Sequence, residues 1–229
     1  MSTLGRDLRP LCVDLDGTLI RTDLLIEAVF GLVKQNPAYA FLLPVWLARG
    51  KVHLKQQIAD RVDVDVTLLP YNEALLDHLQ REQAAGRQLI LATASNVRCA
   101  EQVAIHLGIF DEVLASDADT NLSGARKRDR LIAAFGARGF AYAANGAVDL
   151  PIWEKAGEAV LVDAPSRVAE RARASTPVAH VFASPRPHGT TWLKAIRLHQ
   201  WLKNVLVFVP VLTAHEWQKP RPAVQNRLT

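Results

Sequence analysis

Leu11-Cys12-Val13-Asp14-Leu15-Asp16-Gly17-Thr18 is the stretch that decides how this chain is read. Three apolar residues run into two carboxylates spaced i, i+2, followed by a glycine. The apolar run reads as a buried strand, and the acidic pair as the loop it opens into. Side chains at i and i+2 of an extended segment project towards the same space. One carboxylate placed there can attack phosphorus, and the other can act as general acid and base. Asp14 is the candidate nucleophile and Asp16 the candidate acid–base. Gly17 permits the unusual backbone angle with which the chain leaves the strand. An isolated Asp-Gly would read as a solvated turn, but the preceding apolar run argues against that here.

Outward from this motif the pattern repeats. Residues 89–92 form a second apolar run, ending in Thr93-Ala94-Ser95. Residues 112–115, 140–144, 159–162 and 178–182 are further strand candidates. Helical patterns cover 72–85, 97–107, 127–135, 149–156 and 166–174. Such alternation predicts a parallel sheet covered by helices on both faces. Ligands bind such sheets beyond the carboxyl ends of the strands. Asp14, Thr93 and Asn145 all fall at expected strand ends, which predicts one shared site.

Residues 22–69 break the alternation. Leu24, Leu25, Ala28, Val29, Leu32 and Val33 recur at helical spacing; residues 38–46 form an apolar stretch broken by Pro44, and 54–62 a third helix. This reads as a helical insertion into a core made of residues 1–21 and 70–183. Within it, Arg49, Lys51, His53 and Lys55 read as a solvated basic face, with contact to a phosphate or lipid headgroup as the alternative. Phe41, Leu42, Leu43, Val45 and Trp46 read as core rather than as an exposed lipid-binding patch.

Composition narrows the field. The 229 residues are 49% hydrophobic and 22% charged, which excludes a disordered tail protein. Net charge is +4 and the pI about 9.3, with no long Lys/Arg run, so no nucleic-acid partner is expected. Cys12 and Cys99 belong to no metal-spaced cluster and read as reduced packing residues of a cytoplasmic protein. Residues 1–10 lack an apolar signal core, and no run reaches the roughly 20 apolar residues of a membrane span. From residue 184 the character changes. A Pro-rich linker leads into a basic amphipathic stretch, 190–204, of the type that lies on anionic membranes, and then into an apolar run, 205–214.

Taken together, the motifs resemble those of the haloacid dehalogenase (HAD) superfamily phosphatases. Asp14-Leu15-Asp16-Gly17-Thr18 looks like their first motif, Thr93 after its apolar run like the second, and Lys127 like the third-motif lysine. The resemblance implies an α/β, HAD-like Rossmannoid parallel sheet sandwiched by helices, with a small helical cap (22–69) and an amphipathic C-terminal helical tail. It implies catalytic roles for Asp14, Asp16, Thr93 and Lys127, with Gly17, Thr18, Ala94 and Ser95 against the phosphate. Taken singly, Thr93 also reads as a helix N-cap and Lys127 as an exposed helix residue. The resemblance further implies Mg²⁺ as cofactor, held by Asp14, Asp16 through its carbonyl, Asn145 and Asp149. Here the chain departs from the pattern. The fourth motif usually carries two acids, and Asn145 stands where the first would be. That removes one negative charge from the metal site. Asp149 matches the second acid, and alternatively reads as a charge at a helix N-terminus.

The tail carries another likeness. Residues 199–210, His-Gln-Trp-Leu-Lys-Asn-Val-Leu-Val-Phe-Val-Pro, resemble the opening of a UbiA-type membrane prenyltransferase fused behind a HAD domain. The match stops before any aspartate-rich prenyl-diphosphate site, so residues 184–229 are read as a linker plus a truncated membrane segment. The expected function is a Mg²⁺-dependent phosphomonoester hydrolase. Its expected substrate is a phosphorylated sugar or a polyprenyl-linked sugar phosphate. The alternative is a weakly active or inactive domain that docks on or regulates a UbiA-type prenyltransferase. The expected partners are that phosphorylated small-molecule or lipid-linked substrate, and the cytoplasmic membrane surface or such a prenyltransferase. The expected location is the cytoplasm, peripheral to the inner face of the membrane.

Overall fold

Leu11–Val13 forms the expected strand, β1, and all three of its side chains are fully buried. The structure, a computed structural model, describes residues 9–117 and 120–183. The linker and tail expected at 184–229 lie outside the described residues.

After β1 come three cap helices, α1 (Leu24–Gln35), α2 (Tyr39–Ala48) and α3 (Lys51–Ala59). The core resumes with α4 (Glu73–Ala84), β2 (Leu89–Asn96), α5 (Val97–Leu107), β3 (Glu112–Ser116) and α6 (Ala125–Phe135). It ends with β4 (Ala141–Ala144), α7 (Leu150–Trp153), β5 (Glu158–Val162), α8 (Ser166–Ser175) and β6 (Val178–Phe182). The six strands are parallel, in the order β3-β2-β1-β4-β5-β6. The expected fold class is therefore the one observed.

Strand period decides how the sheet is filled. Leu11, Val13, Leu89, Leu91, Ala141, Ala143, Val160 and Val162 pack on one face. Their neighbours Cys12, Ile90, Ala92, Tyr142, Ala144, Ala159 and Leu161 pack on the other. Both faces are apolar because helices cover both. Each cysteine is a free, buried thiol, and burial pushes both upward in pKa, as packing residues require. The strand order also locates the site. The chain runs outward from β1 through β2 to β3, then returns to the far side of β1 as β4. Ligands bind at such a reversal, outside the carboxyl ends of the two strands. Asp14 follows β1 and Asn145 follows β4.

The cap has its own small core of Ala28, Leu32, Trp46, Leu54, Ile58 and Val62. An isolated antiparallel bridge between Ile20 and Tyr71 joins the segments leading into and out of it. Three expectations need correction here. Pro44 does not break the second stretch, because α2 runs through it. Pro44 and Ala40 are both exposed, so the Ala40 carbonyl that loses its helical donor faces water. The stretch 41–46 is not mainly core: Trp46 is buried, but Phe41, Leu42 and Val45 are exposed. A ten-residue helix has room for one buried side, and Trp46 takes it. The helix expected at 149–156 shrinks to a 3₁₀ turn, Ala147–Asp149, followed by α7. The Gly157 amide donates to the Phe140 carbonyl, 2.8 Å away, which draws the chain back to the sheet to start β5.

Candidate active site

Asp14 sits at the carboxyl end of the central strand. Its Oδ1 accepts a hydrogen bond from Lys127 Nζ at 2.6 Å, and its Oδ2 a long one from Thr18 Oγ1 at 3.4 Å. Lys127 comes from the first turn of α6, is 4% exposed, and so is not the surface helix residue that its position alone allowed. Charge-assisted contacts of this kind are short and strong when desolvated.

Behind this pair lies a second layer. Lys127 Nζ also donates to the Tyr142 hydroxyl, 3.2 Å away, and that hydroxyl donates to Asp149 Oδ1 at 3.0 Å. Asp149 Oδ2 accepts from the Gly146 amide at 3.1 Å. The carboxyl of Asp149 is pushed up to about 6 by burial and then by the charge of Asp14. Asp149 therefore precedes α7 as a helix-terminal charge would, yet its oxygens face the site. Tyr142 is fully buried on β4, and burial raises its hydroxyl well above the usual tyrosine range. It remains a neutral bridge between a cation and an acid.

Asp16 is held from two sides. Oδ1 accepts from the Leu24 amide at 2.7 Å, the first free N–H of α1, and Oδ2 accepts from Ser95 Oγ at 2.6 Å. Asp23 caps the same helix through the Leu25 and Ile26 amides. Burial pushes the Asp16 carboxyl up, aided by Asp23 and Asp14 and opposed by the bonds from Ser95 and Leu24. A carboxyl raised in this way holds a proton closer to neutral pH, as a general acid needs.

Thr93 is placed differently from the simple strand-end picture. β2 continues to Asn96, but its register with β3 shifts between Ala92 and Asn96, so Thr93-Ala94-Ser95 bulges from the ladder. Asn96, not Thr93, caps α5. The Thr93 hydroxyl is fully buried, accepts from the Ser95 amide at 2.9 Å and lies 3.5 Å from Asp16 Oδ2. It shapes the bulge, and Ala94 and Ser95 are the members of this loop that line the cleft. Gly17 has φ +72°, and a Cβ there would sit 2.3 Å from Asn145 Nδ2. Gly17 thus provides both the turn and the room for the Asn145 side chain.

The cleft is about 220 Å³ and is lined by Asp14, Asp16, Asp23, Lys55, Lys127, Asn145 and Asp149, among others. The expectation for Lys55 is overturned. Lys55 is half-buried rather than part of a solvated face, and its Nζ donates to the Ala94 carbonyl at 2.6 Å. Burial lowers its pKa, while Asp16 and Asp23 oppose the shift. Sequence reading missed Tyr142 as a member of the site and gave contact with a phosphate only as the alternative for Lys55. Lys55 looked like one of several charges on a helix, and Tyr142 like an ordinary strand residue.

The lining carries four carboxylates against two amines, all reachable from one opening. Asp14, the Asp16 main chain and Asn145 offer only oxygen donors, the set that suits a hard dication such as Mg²⁺. The donor chemistry therefore fits the implied metal. Among the described residues no group of three or more His, Cys, Asp or Glu gathers as a metal cluster.

Comparison with known proteins places the family and the fold. A family model of haloacid dehalogenase-like hydrolases matches residues 11–154. An uncharacterized protein of Sinorhizobium fredii is 38% identical over 204 residues. That match covers 88% of this chain but only 39% of the relative's length. A solved structure of unknown function from Bordetella pertussis Tohama I superposes with a TM-score of 0.57 at 18% identity, covering 74% of this chain and 97% of its own. A haloacid dehalogenase-like family hydrolase from Streptococcus pneumoniae reaches 0.53 at 15% identity, over 78% and 95%. A substrate-bound phosphoserine phosphatase reaches 0.53 at 11% identity, over 79% and 95%. These structural likenesses establish the fold.

Proposed function

The chain belongs to the haloacid dehalogenase-like hydrolase family, and from that premise we propose that it hydrolyses phosphomonoesters through a phosphoaspartate on Asp14. The observation that carries this reading is the Asp14 carboxylate, held 2.6 Å from Lys127 at the reversal point of the sheet, with the Asp16 carboxyl beside it, fixed by Ser95 and the Leu24 amide.

In the first step Asp14 attacks phosphorus. A bond forms between its carboxylate oxygen and phosphorus, and the bond to the leaving oxygen breaks. Asp16 gives its proton to that oxygen, and the alcohol departs. In the second step Asp16 takes a proton from water, water attacks phosphorus, and Asp14 is released with inorganic phosphate. Lys127 neutralises charge on the transferring group, as phosphoryl transfer demands. Bound Mg²⁺, held by Asp14, the Asp16 carbonyl and Asn145 with Asp149 behind them, would further screen that charge. Ser95 and the Leu24 amide keep Asp16 oriented through both steps. The substrate class favoured is a phosphorylated sugar or a polyprenyl-linked sugar phosphate. Support for it is the likeness of residues 199–210 to the start of a UbiA-type prenyltransferase, together with a relative much longer than this chain.

Turnover of a panel of phosphomonoesters with Mg²⁺ tests the reading. Asp14→Asn should lose on the order of 10³-fold or more in kcat. A wild-type rate no greater than that of Asp14→Asn across the panel would sink it. A second reading, a weakly active domain docking on or regulating a membrane prenyltransferase, is favoured by one observation, the neutral Asn145 at the metal site. Asn145→Asp distinguishes the two. A rise in Mg²⁺-dependent rate of about tenfold supports an active site short of one charge, and no change favours the docking role.

A further inference from the structure

The cap carries an apolar surface that the hydrolase reading does not use. On α1, Ile26 is 50% and Phe30 67% exposed; on α2, Phe41 is 82%, Leu42 41% and Val45 50% exposed. Ile26 and Phe30 face away from the side of α1 that Leu24, Ala28 and Leu32 bury, and Phe41 and Val45 lie off the side of α2 that Trp46 buries, while Leu42 borders that side. The spacing on both helices ends in a base. Ile26, Phe30 and Lys34 lie four residues apart, as do Phe41, Val45 and Arg49, and residues four apart share one helix face. Lys34 and Arg49 are both exposed.

Charge singles out the occupant. The start of α1 holds Asp23 and Glu27, but residues 28–59 contain no Asp or Glu, in a chain that has 23 of them, and present Lys34, Arg49 and Lys51 as exposed bases, with Lys55 turned into the cleft. A second copy of this chain would set these bases against themselves, which opposes self-association through the face. Large apolar side chains bordered by Lys and Arg instead match a surface of acyl chains below anionic headgroups. There Phe and Val enter the boundary layer, and Lys and Arg keep their charge at headgroup level. We infer that the exposed face of the α1–α2 hairpin is a docking surface for anionic membrane lipid. The contact is independent of the tail, and it rests on no assumption about the reaction. The start of α1 also brings Asp23 and Leu25 to the cleft, and α3 brings Lys55. Docking would therefore bring the opening of the site near a lipid surface.

Sedimentation of the 229-residue chain with vesicles tests this. The probes are vesicles of phosphatidylcholine alone and vesicles containing phosphatidylglycerol. Wild type should bind the anionic vesicles more tightly, with each exposed base worth about fivefold. Phe30→Ser with Phe41→Ser should weaken binding by on the order of tenfold or more. Lys34→Gln with Arg49→Gln should weaken it about 25-fold at low salt, with little change on neutral vesicles. All four side chains are exposed, so melting temperatures within a few degrees of wild type confirm folding. Binding unchanged in both double variants overturns the inference, as does a wild type that ignores anionic vesicles. A wild-type dimer in gel filtration that becomes monomeric in Phe30→Ser/Phe41→Ser overturns it too, because the face would then be a protein interface.

Discussion

Asp149→Asn isolates the charge that the site must hold when no cation is bound. Asp149 is 2% exposed, and its carboxyl is pushed up to about 6 by burial and by Asp14. In the unfolded chain an aspartate titrates near 3.9. Between these values the folded protein keeps a proton that the unfolded chain has released. Stability is therefore fully present below about pH 4 and falls as pH rises through about 6. The difference of about two pH units corresponds to about 3 kcal/mol at 1.36 kcal/mol per unit. Asparagine cannot titrate, so this fall should vanish in the variant. The absolute stability of the variant is a separate matter, since its side-chain N–H₂ must face a donor where Asp149 now accepts from both Tyr142 and Gly146. The slope is the readout. Urea unfolding of EDTA-treated protein at half-unit steps from pH 4 to 7.5 measures it. The gap between wild type and variant should move by about 3 kcal/mol against wild type across that range. Parallel curves would refute the argument. Adding Mg²⁺ at pH 7.5 should restore stability to wild type, because a ligand that binds only the folded state stabilises it.

Two further substitutions probe the cap. Lys55→Gln removes the cation that the cap sends into the cleft while keeping a donor for the Ala94 carbonyl, 2.6 Å away. Steady-state kinetics on a phosphomonoester should show KM raised by about tenfold with kcat nearly unchanged; a fall in kcat alone would place Lys55 in the chemical step instead. Pro44→Ala should stabilise the cap by about 1–3 kcal/mol, because α2 is continuous and gains the missing N–H bond to Ala40. Hydrogen exchange across residues 39–48 reports this directly, and unchanged protection there would mean that α2 does not run through Pro44.

Local physics explains how much of the fold and site could be read early. The run Leu11-Cys12-Val13 could only be a doubly buried strand if helices covered both faces, and the alternation of later segments implied those helices. The strands appeared within a residue or two of expectation, apart from the longer β2. Asp14 and Asp16 followed from their strand end, and Lys127 from the resemblance. The short α7 was misjudged because its end is set by a long-range bond, Gly157 to Phe140, that no periodicity encodes.

What the sequence determined by itself was therefore the sheet, the order of its motifs and the carboxylate pair at the end of the first strand. These rest on period-two patterning and on residues adjacent in the chain. Only the tertiary structure decided which side chains meet. Lys55 reaches Ala94 across 39 positions, and Tyr142 stands between Lys127 and Asp149 from within a strand that reads as plain core. The structure also decided which side of α2 is exposed. That helix is apolar almost all round, so its pattern carries no direction, and burial of Trp46 against α1 and α3 leaves Phe41 and Val45 outside. The Asp14 motif names a chemistry. The groups that tune its charge come from distant parts of the chain and converge only when it folds.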